Sequence, residues 1–304
     1  MISTRASSGI GIPSTAATVA VGPRRRARGP VPEPTSTIRR PVDSEAQSKP
    51  RVAVAIPAYN EAEGIEEFLL EIDAALAPMS SELVLVVVDD ASTDSTPAAL
   101  AALESRLTAT LETIRSPVNR GHGPSVLQAY RRALEHKADF VLQVDGDGEF
   151  HGSDLRRVLV LLLDQAHAAC GVRRFRQDPW FRMAMTRLLR LYVRGGFGVR
   201  ARDPNCPLRG YESALLAEQL ALLPPACLIP NLYLTVIAAR RGAALVEVDV
   251  SHRVRRGRSP SGSSWRSRGP SPIPWRLVRF SIAALAESAS LRAGLKAGRH
   301  RGRL

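Results

Sequence analysis

The stretch Phe140-Val-Leu-Gln-Val-Asp145-Gly-Asp147-Gly-Glu149 carries the clearest indication of a fold in this chain of 304 residues. A largely apolar run ends in three acidic residues that alternate with glycine. Such a run is typical of a buried β-strand, and open α/β sheets bind ligands beyond the carboxyl ends of their strands. Closely spaced carboxylates repel one another unless a cation lies among them, and their hard oxygen atoms suit Mg²⁺ or Mn²⁺. From these residues alone, a metal site and an acidic surface turn are both compatible with the pattern.

The chain before this stretch alternates between short apolar runs and amphipathic segments. The apolar runs predict strands at residues 52–56, 83–88, 110–114 and 140–144, with helices at residues 61–77, from Thr96 onward, and at 124–135. In the second helix, Thr96 is the predicted N-cap and Pro97 the first helical residue. Strands that alternate with helices predict an α/β fold, with a Rossmann-like, mostly parallel sheet and helices on both faces.

Polar residues follow three of these strands. They are Pro57 to Glu61, the pair Asp89-Asp90, and Asp145 to Asp147. Right-handed crossovers bring the carboxyl ends of parallel strands to one edge of a sheet. We therefore expect the three polar clusters to face one crevice.

The pattern is looser after Asp147. It predicts helices at residues 153–165, 181–194 and 231–241, strands at 168–172 and 245–250, and a loop or short strand at 203–211. Residues 275–296 read as an amphipathic helix with Leu277, Val278, Ile282 and Leu285 facing inward. The predicted organisation is a disordered basic leader over residues 1–48, a main domain over 49–258, and a basic linker with a C-terminal helix over 259–304.

The charge lies at the two ends of the chain. The formal net charge is +13, but residues 51–250 contain 21 basic and 25 acidic residues. Basic ends attract phosphates on nucleic acid or anionic lipid, and they are also typical of solvated tails. No apolar stretch approaches the length of a transmembrane helix. The three cysteines are far apart, which predicts reduced thiols and neither a disulfide framework nor a zinc site.

Four motifs occur in order, each at or just after a predicted strand end or loop. They are Ile56-Pro57-Ala58-Tyr59-Asn60-Glu61, Val88-Asp89-Asp90-Ala-Ser92-Thr93-Asp94-Ser-Thr96, Asn119-Arg-Gly121-His-Gly123 and Asp145-Gly-Asp147. Together they resemble the nucleotide-sugar half of the family 2 inverting glycosyltransferases, which have the GT-A fold. The resemblance covers about residues 51–260.

The downstream motifs are most similar to those of dolichol- or polyprenyl-phosphate mannosyl- or glucosyltransferases. Gly171-Val-Arg173 resembles a Gly-x-Arg motif of that subfamily, and Arg182 with Thr186 resembles its Arg followed four residues later by Ser or Thr. The segment from Asp203 to Tyr211 resembles its Asp…Gly-Phe-Arg segment, although Pro and Leu stand where Gly and Phe are common. His252 to Ser259 resembles its basic Arg-x-x-Gly-x-Ser segment, one residue shorter than expected.

The resemblance implies a donor site and a metal. The donor nucleotide would be bound by Pro57, Tyr59, Glu61, Asp89, Asp90, Gly121 and Asp145. A bound Mg²⁺ or Mn²⁺ would be held by Asp147, with Asp145 and Glu149 as further ligands. Glu149 stands where the lipid-phosphate enzymes often carry Gln, so it would either tighten metal binding or point to solvent.

The resemblance also implies an acceptor site. A lipid phosphate is anionic near neutral pH, so it needs cations to hold it and no general base. The candidate phosphate ligands are Arg173, Arg182, Thr186, Arg209 and Arg255. A hydroxyl acceptor would instead require a carboxylate base, for which Asp203 is the candidate. Asp147, Asp203 and Arg209 are the predicted catalytic residues.

These observations leave three hypotheses. The first is transfer of a hexose from a GDP- or UDP-sugar to polyprenyl phosphate, by a cytoplasmic enzyme bound peripherally at the inner face of the membrane. The second is the same donor chemistry on a hydroxyl of a glycan, lipid or small molecule, with Asp203 as base. The third is a non-enzymatic nucleic-acid-binding protein, which is disfavoured because the basic ends are poor in aromatic residues and no nucleic-acid module is recognised.

Overall fold

The computed structural model describes residues 17–18, 20–21, 48–173, 180–251, 253, 279, 283–284, 286–289 and 292, with backbone only for 17, 20–21 and 180–185. The strands are β1 (Ala17–Thr18), β2 (Ala20–Val21), β3 (Arg51–Ala58), β4 (Glu82–Asp89), β5 (Thr110–Arg115), β6 (Phe140–Gln143), β7 (Ala168–Arg173), β8 (Val199–Arg200), β9 (Arg209–Glu212) and β10 (Leu245–Val250). The helices are α1 (Ile65–Leu76), α2 (Thr96–Leu103), α3 (His122–Glu135), α4 (Gly152–Leu163), α5 (Trp180–Phe197), α6 (Ser213–Leu220) and α7 (Pro230–Arg240). Short 3₁₀ helices at Ala77–Met79 and Glu104–Arg106 follow α1 and α2.

Among the described residues, eight strands form one sheet in the order β1-β10-β7-β9-β6-β3-β4-β5. The strands β3, β4, β5 and β6 are parallel, and β10 is parallel to β7. The strand β9 is antiparallel to both β6 and β7, between which it lies. The parallel half carries the motif loops at one edge, as the sequence predicts.

The sheet is covered on both faces because its central strands are apolar on both sides. In β3, Ala53 and Ala55 belong to a core that includes side chains of α3, α5, α6 and α7. The alternate residues Val52, Val54 and Ile56 belong to a second core that includes side chains of α1, α2 and α4. Residues that alternate along a strand point to opposite faces, so each face needs its own layer of helices. The predicted α/β fold class is confirmed.

Several element boundaries differ from the prediction for local reasons. The helix α1 begins at Ile65 and not at residue 61, because the N–H groups of Gly64 and Ile65 both donate to the carbonyl of Glu61 in a turn. The N-cap of α2 is Ser95 and not Thr96, and the N–H of Thr96 donates to Asp94 at 2.9 Å. The helix α6 and the short strands β1, β2 and β8 are not predicted by the sequence pattern.

Four residues of the predicted leader form two short strands. Ala17–Thr18 pairs antiparallel with β10, and Ala20–Val21 pairs antiparallel with β8. The rest of the leader up to residue 47 lies outside the described residues. The two pairings place this part of the leader beside the main domain.

The C-terminal segment contacts the main domain at its described positions. The carboxylate of Glu287 accepts the N–H of Leu228 at 3.0 and 3.2 Å, and the hydroxyl groups of Tyr233 and Ser288 are 2.8 Å apart. The four residues predicted to face inward, Leu277, Val278, Ile282 and Leu285, lie outside the described residues. No described helix has the length and apolar character needed to cross a membrane. All three cysteines are buried free thiols.

Candidate active site

The loops after β3 and β4 are bonded to each other. The N–H of Asn60 donates to Oγ of Ser92 at 2.9 Å, and Oδ1 of Asn60 accepts the N–H of Thr93 at 2.8 Å. The N–H of Glu61 donates to Oγ1 of Thr96 at 2.9 Å. Asn60 has a positive φ of 55°, a conformation that Asn tolerates better than most residues. The first two motifs therefore form one unit, which holds Tyr59 and Glu61 half-buried at its rim.

Asp89 and Asp90 shape these loops from within. Asp89 is fully buried, and its carboxylate accepts the N–H of Ser92 at 2.9 Å and lies 3.6 Å from Nε of Arg115. The two oxygens of Asp90 accept the N–H groups of Arg120 and Gly121, each at 2.8 Å. Gly121 has a positive φ of 90° and caps α3. Both aspartates accept hydrogen bonds from backbone N–H groups of these loops. Their predicted contacts with a nucleotide stay predictions.

The fourth motif closes the same edge of the sheet. The N–H of Gly146 donates to the carbonyl of Pro57 at 3.0 Å, which bonds this motif to the first one. Nε2 of His122 in the third motif lies 3.8 Å from Oδ1 of Asp145. The predicted convergence of the motifs on one edge is therefore present in the structure.

A buried amide network positions Asp145. Nε2 of Gln143 donates to Oδ1 of Asp145 at 2.9 Å, and Oε1 of Gln143 accepts Nδ2 of Asn231 at 2.9 Å. The hydroxyl of Tyr130 donates to Oδ1 of Asn231 at 3.2 Å. Sequence analysis did not select Gln143 or Asn231, although a polar Gln143 within an apolar strand was an available signal. The network fixes the orientation of the Asp145 carboxylate from beneath.

Burial and repulsion raise the pKa values of the two aspartates of this motif. For Asp147, burial raises the pKa well above its ordinary value, and the charges of Glu149 and Asp145 raise it further. For Asp145, burial raises the pKa, while the nearby charges of His122 and Arg173 lower it. Two crowded carboxylates of this kind are stabilised in their ionised form by a cation.

A divalent metal fits these residues, although they do not form a complete site by themselves. Among the residues described, no three or more His, Cys, Asp or Glu side chains are grouped as metal ligands. The predicted three-ligand set of Asp145, Asp147 and Glu149 is therefore not assembled in this structure. Mg²⁺ usually binds one or two carboxylates together with substrate phosphates. The carboxylates of Asp145 and Asp147 would fit this pattern, with the remaining ligands supplied by the donor diphosphate.

Arg253 clamps the turn that carries these carboxylates, and sequence analysis did not select it. Its Nε donates to the carbonyl of Gly148, and its backbone N–H donates to the carbonyl of Glu149 at 2.9 Å. Its Nη2 donates to Oε2 of Glu71 in α1 at 2.9 Å. The guanidinium also lies over the ring of Phe68, 5.8 Å from its centroid. Arg253 therefore joins the metal turn to α1, and its place three residues after the last strand was the available signal.

Arg173 and Asp203, both predicted at the acceptor side, bind each other. Nε of Arg173 donates to Oδ2 of Asp203 at 2.8 Å, and Nη2 donates to Oδ1 at 3.1 Å. The Asp203 side chain is 2% exposed and that of Arg173 is 14% exposed. The bidentate contact engages both oxygens of Asp203 with one guanidinium, so the structure shows Asp203 as the partner that orients Arg173, and its role as a general base stays a prediction.

Arg209 is a buried structural cation. Its guanidinium is fully buried and donates to the carbonyls of Cys206 and Pro204 at 2.6 and 2.7 Å. It also donates to the hydroxyls of Tyr211 and Thr235 at 3.0 and 2.8 Å. Burial works to lower its pKa, but the surrounding Cys170 and tyrosine groups outweigh that effect and the pKa is raised. These contacts hold the guanidinium inside the protein as a structural group, and its predicted roles in catalysis and acceptor binding stay predictions.

The other predicted acceptor residues are only partly described. Arg182 and Thr186 lie on α5, with Thr186 half-buried and the side chain of Arg182 outside the described residues. Arg255 also lies outside the described residues. Their contacts with an acceptor remain predictions.

Comparison with known proteins agrees with this arrangement. A family model described as glycosyl transferase family 2 matches residues 53–219. The undecaprenyl-phosphate 4-deoxy-4-formamido-L-arabinose transferase of Edwardsiella ictaluri is 28% identical over 205 residues, which cover 67% of this chain and 60% of that protein. The transferase of the same name from Aeromonas hydrophila is 27% identical over 210 residues, with the same shares covered. The chain thus spans about 60% of the length of these relatives.

Solved structures show the same fold. Glucosyl-3-phosphoglycerate synthase from Mycobacterium tuberculosis, in complex with Mn²⁺, uridine diphosphate and glucosyl-3-phosphoglycerate, matches with a TM-score of 0.54 and 19% identity over 80% of each chain. A second mycobacterial protein matches with a TM-score of 0.56 and 18% identity over 80% of this chain and 75% of that one. At this level of identity the likeness concerns the fold, and it confirms the predicted GT-A architecture.

Proposed function

Because the chain belongs to glycosyl transferase family 2, we propose that it transfers a hexose from a nucleotide-sugar to polyprenyl phosphate. Membership of the family makes the chain a glycosyltransferase. The acceptor is proposed on two grounds, the names of its curated relatives and the arrangement of charge in the site. We further propose that it works at the cytoplasmic face of a membrane, where such a lipid is accessible to a peripheral enzyme.

The observation that carries the proposal is the bidentate ion pair of Arg173, at the end of β7, with Asp203. Asp203 binds Nε and Nη2 of the guanidinium and thereby fixes its plane. An arginine fixed in this way is suited to a phosphate oxygen. The site thus offers a cation for an anionic acceptor beside carboxylates for a metal.

On the donor side, the chain's own residues would orient the nucleotide. Tyr59 would stack on the base, and Glu61 would accept hydrogen bonds from ribose hydroxyls. Asp90 keeps the Arg120–Gly121 backbone in place through its two hydrogen bonds. Asp145 and Asp147 would hold Mg²⁺ or Mn²⁺, which when bound neutralises charge on the leaving diphosphate.

On the acceptor side, no proton needs to be removed. A phosphate monoester is already a nucleophilic anion at neutral pH, so the residues need only to bind and orient it. Arg173 is the best supported ligand, with Arg182, Thr186 and Arg255 as further proposed ones. The hydroxyl-acceptor alternative, with Asp203 as base, would require the Arg173–Asp203 ion pair to rearrange, whereas a phosphate acceptor does not.

A donor screen tests this proposal. The full chain is incubated with undecaprenyl phosphate, Mn²⁺ and each of a set of GDP- and UDP-sugars, with and without EDTA. We expect one donor to yield a sugar-bearing lipid that organic solvent extracts, and EDTA to abolish its formation. Failure of every donor to yield such a lipid would refute the proposed function.

A further inference from the structure

The helix α5 leaves one face without a covering element among the described residues. Leu188 and Leu191 are 60% and 64% exposed, which makes them unusual among the large apolar side chains of the described chain. An exposed pair of leucines on one helix is more informative than scattered ones, because it forms a patch.

The opposite face of α5 is anchored in the core. Val193 and Phe197 are buried in the core that lies over α3 and α7, and Leu189 and Tyr192 pack against it. The rings of Tyr192 and Phe197 meet edge to face with centroids 5.8 Å apart. With about 100° between successive residues of a helix, this anchoring turns Leu188 and Leu191 away from the protein.

The exposed face is also strongly basic. Arg187, Arg190 and Arg194 are all exposed, and they occupy the half of this face next to the two leucines. The whole of α5 contains no Asp or Glu. Leucines flanked by arginines that no acidic residue of the helix neutralises are typical of helices that lie in a membrane interface.

We propose that this α5 face, formed by Arg187, Leu188, Arg190, Leu191 and Arg194, docks onto an anionic bilayer surface. The arginines complement the negative headgroups, and the leucines enter the boundary between headgroups and acyl chains. A nucleic acid would match the arginines but would leave the leucines in water, so the bilayer accounts for both.

The docking would bring the acceptor side of the site toward the lipid. The same helix carries Arg182 and Thr186, the proposed acceptor ligands, and it follows β7, which ends at Arg173. This consequence rests on the proposed function, whereas binding of the face to a bilayer can be measured without any turnover.

Vesicle flotation of the full chain tests the inference. Vesicles of phosphatidylcholine with phosphatidylglycerol are compared with vesicles of phosphatidylcholine alone. The test variants are the double substitution Leu188→Ser/Leu191→Ser and the triple substitution Arg187→Gln/Arg190→Gln/Arg194→Gln. The matched control is Leu163→Ser/Leu222→Ser, which replaces two exposed leucines elsewhere on the surface.

We expect wild type and the control to float with the anionic vesicles, and each test variant to bind them about tenfold more weakly. The basic ends of the chain add their own electrostatic attraction to the vesicles. The flotation of the leucine variant is therefore also compared with that of wild type in about 0.5 M salt, where charges are screened. Absence of wild-type flotation, or equal flotation of test and control variants, would overturn the inference. Binding of duplex DNA is measured for the same variants. If the arginine variant lost DNA binding but floated with the vesicles as wild type does, the inference would be overturned in favour of a nucleic-acid partner.

A separate readout keeps this inference apart from the proposed function. With donor and undecaprenyl phosphate dissolved in detergent, the α5 variants should form the lipid product at the wild-type rate, since no bilayer is involved. A weaker flotation of the variants would still support the docking surface if no donor were turned over, and that result would count against the proposed function alone.

Discussion

At Asp147, partial burial disfavours the ionised form of the carboxylate, and two neighbouring carboxylates disfavour it further. Burial raises its pKa well above the ordinary value, and repulsion from Glu149 and Asp145 adds to the rise. A group whose pKa is higher in the folded protein than in the unfolded chain favours folding while it is protonated, and that contribution is lost as the pH rises through the folded-state pKa. At neutral pH, in the absence of a metal, an ionised Asp147 therefore lowers the stability of the fold.

The first prediction concerns the cost of an ionised Asp147 in the absence of a metal. Asp147→Asn should raise the midpoint of thermal unfolding in EDTA by about 2–4 °C at pH 7, because it removes a half-buried charge that two neighbouring carboxylates repel. It should also abolish both sugar transfer and the stabilisation that Mn²⁺ gives to wild type. Differential scanning calorimetry with and without Mn²⁺ measures both effects.

The control for this experiment is Asp164→Asn, which changes an exposed aspartate at the end of α4. It should behave as wild type in every assay. If Asp147→Asn still gained stability from Mn²⁺ as wild type does, the assignment of Asp147 as a metal ligand would be wrong.

Arg253 gives a second prediction at the same scale. Its guanidinium joins the carbonyl of Gly148 to Glu71, so its loss should free the turn that positions Asp147. We expect Arg253→Gln to raise the Mn²⁺ concentration for half-maximal activity about tenfold, an effect typical of residues that orient metal ligands. Arg253→Lys should rescue little, since an ammonium group lacks the planar fork. Arg106→Gln is the control, and a metal requirement that does not move would exclude the positioning role.

The ion pair of Arg173 and Asp203 gives a third prediction. If Asp203 only holds Arg173, Asp203→Asn should lower transfer to polyprenyl phosphate about tenfold, because the guanidinium loses a charge-assisted partner but keeps its own charge. Arg173→Gln should be more severe because it removes the proposed phosphate ligand itself. The kcat and KM for the acceptor separate the two variants. A loss of about 10³-fold or more with Asp203→Asn, together with a changed acid limb of the pH profile, would instead restore the general-base hypothesis.

At the scale of elements, the start of α3 is fixed by close contact with the backbone before α7. A Cβ added at Gly123 would lie 2.2 Å from the carbonyl oxygen of Cys227 and 2.6 Å from that of Leu228. The segment it would strike is itself held by Glu287, which accepts the N–H of Leu228. The donor edge is therefore packed directly against the loop that receives the C-terminal segment.

This packing gives a fourth prediction. Gly123→Ala should destabilise the protein by about 1–3 kcal/mol, because the backbone carbonyls it would meet cannot move as a side chain can. Gly195→Ala is the matched control, since nothing lies within 4 Å of a Cβ at that helical position. Urea unfolding measures the free energy of unfolding of both variants. If Gly123→Ala were as stable as Gly195→Ala, the contact between α3 and the Cys227–Leu228 backbone would be looser than described.

The elements that could be predicted from sequence are those whose signal is local. The strands β3, β4 and β6 are mostly apolar runs that are followed by polar motifs, so their type and the convergence of their ends follow from pattern and crossover handedness. The strand β9 could not be read in this way. It is four residues long, and its place between β6 and β7 is set by pairing across the sheet.

The site residues also differ in whether their roles follow from a local pattern or from distant contacts. Asp145 and Asp147 follow directly from their position at a strand end. The roles of Arg209 and Asp203 depend on distant partners, Thr235 in the first case and Arg173 in the second. No local pattern distinguishes an arginine that binds a ligand from one that is buried among carbonyl groups.

At the scale of the whole molecule, the charges are distributed in a way that suits a lipid acceptor. The net charge of +13 belongs to the two ends, while residues 51–250 are mildly acidic. Within that acidic part, α5 is a basic exception with an exposed apolar patch. Asp145 and Asp147 lie at the donor edge, and α5 carries Arg182 and Thr186, two of the proposed acceptor ligands.

The central claim is that the nucleophile is a lipid phosphate. It is tested most directly by offering the purified full chain, with Mn²⁺ and its donor, either undecaprenyl phosphate or undecaprenol, which has the same lipid chain but a hydroxyl in place of the phosphate. The measurement is the rate at which labelled sugar enters the lipid phase in detergent. The account predicts rapid transfer to the phosphate and none above background to the alcohol. Transfer to undecaprenol at an equal or greater rate would contradict it.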